Sequence, residues 1–271
     1  MNTLAELRSS RELLVNLTLR DIRGKYKRTV LGQAWSLVNP VAQMLIYSVV
    51  FGFFLRNDPG PGNPSGLSVF ALWLCAGLLP WLFFANMVTA GMSALVDNSN
   101  LLLKVYFPRQ TLLVSNAMAW LFTHAIEMGV LVVATLLFGG RPLLYLPATI
   151  FFMLMLGAFG LGVSYVLAIA NVYFRDTKHF ITLFMQIWFY MSAIVYPIKL
   201  VLVHAKKYPL LVDAFKLNPI VRFGEVFRNT IYDGRWPSLV STVYLTVVSL
   251  VTLAIGQLIF NHYADRVAEE L

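Results

Sequence analysis

Charge is scarce in this chain. Only 13% of its 271 residues are Asp, Glu, Lys or Arg and 58% are hydrophobic, against about 25% and 45–50% in soluble domains, which excludes an ordinary water-soluble fold. Acids are scarcer than bases, 13 against 21, leaving a formal net charge of +8. The bases lie between apolar runs and not along one polar face, which suits anionic lipid headgroups and argues against nucleic acid. There is one cysteine, Cys75, within an apolar stretch, so no intramolecular disulfide and no cysteine-based metal cluster can form. The acids are scattered, with Asp21, Asp97 and Asp176 beside an arginine or in a capping position. A membrane-bound transferase needs clustered Asp, Glu or His at a membrane edge, so that class is disfavoured. No Gly-x-x-x-x-Gly-Lys-Ser/Thr phosphate loop occurs, and the chain has no evident means of binding ATP. The start also lacks the short apolar core and small-residue cleavage site of a secretory signal, so the hydrophobic runs are expected to persist in the mature protein.

What is abundant is long apolar sequence. Crossing about 30 Å of hydrocarbon takes roughly twenty helical residues, and runs of that length lie near 36–55, 68–96, 111–138, 147–170, 180–200 and 238–260. Six spans put both termini on one side. Arg8, Arg11, Arg20, Arg23, Lys25, Lys27 and Arg28 precede the first span, and Lys104, Arg109, Arg175 and Lys178 occupy the second and fourth loops. The first and third loops offer only Arg56 and Arg141. The charge bias therefore predicts cytoplasmic termini. The fifth loop, 201–237, is also basic, with Lys206, Lys207, Lys216, Arg222, Arg228 and Arg235. Its semi-apolar stretch Phe215–Tyr232, broken at Asn218-Pro219, reads as short interfacial or re-entrant helices, with headgroup anchoring as the alternative to a substrate role.

The cytoplasmic segments carry a pattern of their own. Leu4, Leu7, Leu14 and Leu17 recur near helical spacing, with Arg8, Arg11, Glu12 and Arg20 largely elsewhere, so the start is expected to be an amphipathic helix along the bilayer surface. The basic stretch that follows, Arg20, Arg23, Lys25, Tyr26, Lys27 and Arg28, is either a topology anchor or a collar that attracts an anionic, lipid-linked substrate. In the second loop Asp97 or Ser99 is expected to cap a short helix that Pro108 ends. Leu102, Val105, Tyr106 and Phe107 there call for a protein partner or headgroup cover. The fourth loop, Asn171 to His179, has the same mix of aromatics and charges. Both are expected to be short docking helices facing the cytosol.

Within the spans, His124 and Glu127 fall three residues apart on one helix face. Ionisable groups in lipid need a reason, and the candidates are pairing with a neighbouring helix, lining a wet channel, proton relay, or metal binding without a second ligand pair nearby. Trp35, Tyr47, Trp73, Trp81, Phe83, Phe84, Trp188 and Tyr190 are either interfacial belt and packing or rings on which the C–H faces of sugars stack. Gly157, Gly160, Gly162 and Ser164 permit close helix approach.

Several segments together, Leu19–Lys27 through Leu31–Pro40, Gly77–Phe84, Asp97–Arg109 and Asn171–Asp176, resemble the ABC-2 type permeases that export bacterial O-antigen, teichoic acid and related polysaccharides. Tyr196-Pro197 and Leu217-Asn218-Pro219 with Gly224–Arg228 fit the same family. The resemblance implies an all-α integral membrane fold, that of the ABC-2 exporters: an amphipathic interface or gate region over 1–35, six transmembrane helices over 36–260, coupling loops at 97–109 and 171–178, extracytoplasmic helices within 201–237, and a cytoplasmic tail at 261–271. It further implies a homodimer in the bacterial inner membrane, paired with two copies of a separate ATPase subunit that holds ATP and Mg, moving a lipid-linked glycan. On this reading Asp97, Asn98, Leu102, Val105, Tyr106, Phe107 and Arg109, with Tyr173, Arg175 and Asp176, couple to the ATPase. Arg20, Arg23, Lys25, Tyr26, Lys27 and Arg28 form the gate, and Trp35, Tyr47, Trp73, Trp81, Phe83, Phe84, His124 and Glu127 are candidates to line the channel. This chain itself is expected to hold no catalytic residue, metal or cofactor. The alternatives are an ABC-2 exporter of a small hydrophobic molecule and a secondary transporter, although no inverted repeat is visible.

Overall fold

Backbone in hydrocarbon must satisfy its own hydrogen bonds, which helices do within one segment, and no strand occurs among the described residues. The computed structural model describes residues 10–25, 32–54, 60–105, 107–198, 209–264 and 266. Helix α1 (Arg11–Gly24) is followed by α2 (Trp35–Tyr47), which loosens into a π-helical stretch, Ser48–Phe54. Then come α3 (Phe70–Asp97), the short α4 (Ser99–Lys104), α5 (Gln110–Leu137) and α6 (Leu146–Tyr173). The chain continues through α7 (Thr177–Tyr190), α8 (Pro209–Leu217), α9 (Pro219–Phe227) with a π-turn over Arg228–Asp233, and α10 (Leu239–Tyr263).

Among the described residues four helical segments are long and apolar enough to cross a membrane: Phe70–Asp97, Gln110–Leu137, Pro142–Tyr173 and Leu239–Tyr263. They match the second, third, fourth and sixth expected spans. Where the first and fifth are expected, α2 has 13 residues and α7 has 14. At 1.5 Å per residue each is only about 20 Å of α-helix. The expected fifth span, 180–200, breaks at Met191, where the chain turns with Ala193 at φ 50°, and Pro197 disfavours regular helix at Tyr196 beyond the turn.

Helix α3 is the central column, its apolar window 78% buried against 22% for the outer α10. Polar side chains tie it to its neighbours: Asn116 Nδ2 donates to the Met87 carbonyl from α5 (3.1 Å), and Asn171 Nδ2 donates to the Met92 carbonyl from α6 (3.3 Å). Such bonds and small-residue contacts hold helices together where lipid supplies no hydrophobic drive. Helices α6 and α10 cross at Gly162 and Gly256, where a Cβ on Gly256 would lie 2.2 Å from the Gly162 carbonyl oxygen. Outward-facing Val133, Leu137, Leu154, Val243 and Leu258 give the bundle an apolar exterior.

Candidate functional site: the helix ends and their linkages

The second and fourth loops meet at one end of the bundle, because α3 and α6 both end there and Asn171 holds the two together. Asp97 closes α3, leaving Asn98 alone between α3 and α4; its Nδ2 donates back to the Ala94 carbonyl (2.8 Å) and no side chain caps α4. The expected cap at Asp97 or Ser99 is therefore absent, and α4 ends at Lys104, ahead of Pro108. Leu101 and Leu102 pack inward and Phe107 is buried, sharing a core with Leu95, Leu112, Leu113 and Tyr165. Leu103 and Val105 point outward, 60% and 51% exposed, beside the exposed Asp97 and Lys104. Arg109 is half-buried, and Tyr106 lies outside the described residues.

The fourth loop is shorter than expected. It is no separate helix: α6 runs to Tyr173, α7 starts at Thr177, and only Phe174–Asp176 turn between them. The Tyr173 ring packs edge-on to Tyr263, 6.2 Å between centroids, and is committed to α10. Phe174, 72% exposed, takes the outward position beside Arg175 and Asp176. Leu103 and Phe174 were not singled out in the sequence. The run Leu101–Leu103 has no periodicity to say which leucine faces out, and Phe174 is marked only by the end of α6.

The amphipathic start is docked along α5, not laid on a free surface: Leu17 and Thr18 are buried and Lys25 reaches into α5. Lys25 Nζ donates to Thr123 Oγ1 (3.0 Å), lies 3.5 Å from the Ala119 carbonyl oxygen and sits 3.2 Å above the centre of the Trp120 ring. Burial pushes the amine down to about 8, against the opposing pull of the Glu127 and Asp21 carboxylates. Amine acylation followed by mass spectrometry should give Lys25 a labelling midpoint near pH 8, below the about 10.4 of a lysine in a model peptide. A Lys25 midpoint above pH 10 would show that the docked position is not kept in solution. Of the other gate candidates, Arg20 pairs with Asp21 at 3.0 Å and Arg23 is exposed. Leu4, Leu7, Tyr26, Lys27 and Arg28 lie outside the described residues.

Four of the aromatic candidates, all on α3, are core in this structure. Trp73, Trp81, Phe83 and Phe84 are 7%, 5%, 2% and 0% exposed, because α3 is enclosed by its neighbours and its rings pack on them. Trp81 and Phe84 meet Trp188, and Phe84 stacks on Phe159 at 5.3 Å. Trp35 is half-buried, and nothing is described of the Tyr47 side chain. The buried His124 stacks on Phe83, 4.6 Å and 6° between rings, and meets Phe227 edge-on. Its Nδ1 is 3.6 Å from Glu127 Oε2, and neither ring nitrogen makes a hydrogen bond. His124 lies in the packed interior and Glu127, its side chain 17% exposed, at the edge of it. Among the described residues no group of three His, Cys, Asp or Glu could hold a metal.

At the opposite end, one of the basic residues that the sequence offered as headgroup anchors is interior, while Lys216 and Arg235 are exposed. Arg228 is 9% exposed, its guanidinium 3.9 Å over the Trp73 ring and donating to the Trp73, Ala193 and Ile194 carbonyls. Asn218 caps α9 through Ile220 N, accepts from Trp188 Nε1 (3.1 Å) and donates to Ser192 Oγ (3.1 Å). The Tyr232 hydroxyl donates to the Leu67 carbonyl (2.7 Å), and Ser65 Oγ donates to the Tyr232 carbonyl (2.6 Å). The first loop, α3, the end of α7 and α9 are thus tied into one cap.

These features define a helical membrane protein with one end of exposed apolar and charged turns and one end of cross-braced turns. The chain belongs to the ABC-2 type transporter family, which it matches over residues 12–232. It is 29% identical over 266 residues, 98% of both chains, to the O-antigen export system permease protein RfbA of Myxococcus xanthus. A protein of the same name from Klebsiella pneumoniae is 27% identical, covering 96% of this chain and 95% of that one. The polysialic acid transport protein KpsM of Escherichia coli is 24% identical, covering 90% and 91%.

Proposed function

We propose that this chain is the transmembrane permease subunit of an exporter that moves a lipid-linked polysaccharide out of the cytoplasm. The glycan class is that of O-antigen, teichoic acid or a galactan-like polymer. The observation that carries this reading is similarity along the full length to permeases named for O-antigen export and polysialic acid transport. The chain works as a homodimer in the bacterial inner membrane, both termini cytoplasmic, with two copies of a separate ATPase subunit. ATP and Mg belong to that subunit. Leu103, Val105 and Phe174 supply the apolar contacts for it, with Asp97, Lys104, Arg175 and Asp176 around them. Closure of the ATPase on ATP shifts the ends of α3 and α6 and the start of α7, and the membrane helices follow as a two-state element. The basic start near Lys25 faces the anionic carrier.

Co-expression with a candidate ATPase subunit, followed by purification and reconstitution with a lipid-linked glycan, tests the reading. The expected result is a stable complex whose ATP hydrolysis drives glycan across the bilayer, and cells deleted for this chain should lose the surface polymer. A well-folded chain that captures no ATPase and whose deletion leaves the surface polymer intact would overturn it.

A further inference from the structure

Helix α7 is held mainly at its ends. Only Met185 is buried along it, while Phe180, Leu183, Phe184, Ile187 and Tyr190 are 50–72% exposed. Its first residues follow the turn Phe174–Asp176, and its last run into Met191–Tyr196. Pro197 has no N–H, so the Ala193 carbonyl has no donor four residues on, whatever the helix does. The Ala193 and Ile194 carbonyls are nevertheless buried among apolar groups, where an unmet acceptor is costly. Arg228 supplies the missing donors from another element: Nη1 to Ala193 O at 3.2 Å, Nη2 to Ala193 O at 3.3 Å and to Ile194 O at 2.6 Å. The same guanidinium lies on Trp73, and Gly77 leaves room for it, since a Cβ there would fall 2.7 Å from Nη2. Among the described residues no carboxylate is within ion-pair distance; Glu225 and Asp233 act on it only from farther away. A buried cation without a paired acid is expensive, and a leucine or methionine would fill the space. What the guanidinium adds is geometry, three elements fixed to one planar group. It stands at the first residue of a π-turn, a distortion frequent at functional positions.

We infer that Arg228 is a positioning residue for transport: it joins the far end of α7 to α3 and to α9, so that α7 acts as a rod between the turn Phe174–Asp176 and the cap at the opposite end. Asn218, bonded to Trp188 and Ser192, is the second fastening of that joint. This rests on the exporter reading, in which Phe174–Asp176 faces the ATPase. A displacement at that turn reaches α9 only if the joint holds, because the exposed middle of α7 has little else to push against.

The test uses the reconstituted complex and reads glycan exported per ATP hydrolysed. Arg228→Gln is expected to assemble with the ATPase and hydrolyse ATP, with export per ATP falling about tenfold, within the coupling range that single residues contribute. Arg228→Lys should recover part of it, since one ammonium cannot span both carbonyls and the ring. Gly77→Ala, which pushes on the guanidinium with its charge in place, should lower the ratio in the same direction, and should add nothing to Arg228→Gln because both act on one contact. Wild-type complex that hydrolyses ATP but exports no glycan would remove the underlying reading. Wild-type export matched by Arg228→Gln would remove the joint alone. If Arg228→Gln, Arg228→Lys and Gly77→Ala all fail to accumulate in the membrane, the guanidinium holds the fold and not the transport step, and the assignment falls.

Discussion

Gly256→Leu is expected to remove the folded chain from the membrane. A Cβ at Gly256 would meet the Gly162 carbonyl oxygen, carbonyl carbon and Cα at 2.2, 2.8 and 3.0 Å, and one at Gly162 would meet Thr252 O and Leu253 Cα at 2.5 and 2.7 Å. Every one of these atoms is backbone, so no rotamer change relieves the contact, and α6 and α10 must separate. Overpacking costs about 1–3 kcal/mol where neighbours can adjust. Here they cannot, and the separation also forfeits the packing along the crossing, so even Gly256→Ala should reach the top of that range. Gly157 in the same helix is the control: its Cβ would meet only Phe83 Cζ at 3.7 Å, an ordinary contact. Gly157→Ala should therefore stay within about 0.5 kcal/mol of wild type. Membrane abundance and denaturant unfolding of the detergent-purified chain measure both. Wild-type stability in Gly256→Ala would mean that α6 and α10 do not cross as closely as they do here.

Leu103→Glu with Val105→Glu should abolish capture of the ATPase while leaving the chain in the membrane at normal abundance. Both side chains are more than half exposed at the end of the bundle where the proposed partner docks, and neither supports the core. Fully burying an aliphatic side chain is worth about 1.5–3 kcal/mol, so losing two and burying two charges in their place weakens the complex by about a hundredfold or more. The contrast is with Leu102→Glu and Phe107→Glu, whose side chains point into the bundle with Leu95 and Leu113; these should lower abundance first. Pull-down of a tagged ATPase against membrane abundance separates the two patterns. Retention of the ATPase by Leu103→Glu/Val105→Glu would move the docking site away from α4, with Phe174 the next residue to change.

The sequence alone determined the class, the four long spans and the ends of the chain that carry charge. Those follow from length and apolarity, which a helix in lipid requires residue by residue, and the boundaries at 70, 97, 110 and 137 fall within two residues of the apolar runs 68–96 and 111–138. The full-length family resemblance was legible for the same reason, since it rests on the order of segments and not on contacts. The sites were less legible. A helix buried on all sides and one facing lipid on all sides have the same composition, so Trp81, Phe83 and Phe84 read as belt, packing or channel wall until α3 is seen enclosed. Leu102 and Leu103 differ only in direction, and direction is set by how α4 leans on α3 and α5. Arg228 shows the limit most clearly. In the sequence it is one more basic residue of a basic loop, as fit for a headgroup as Arg222 or Arg235. Only the tertiary structure brings it to the broken end of α7, because the need it meets, the buried Ala193 carbonyl left without a helical donor by Pro197 and the Ile194 carbonyl beside it, lies more than thirty residues away along the chain.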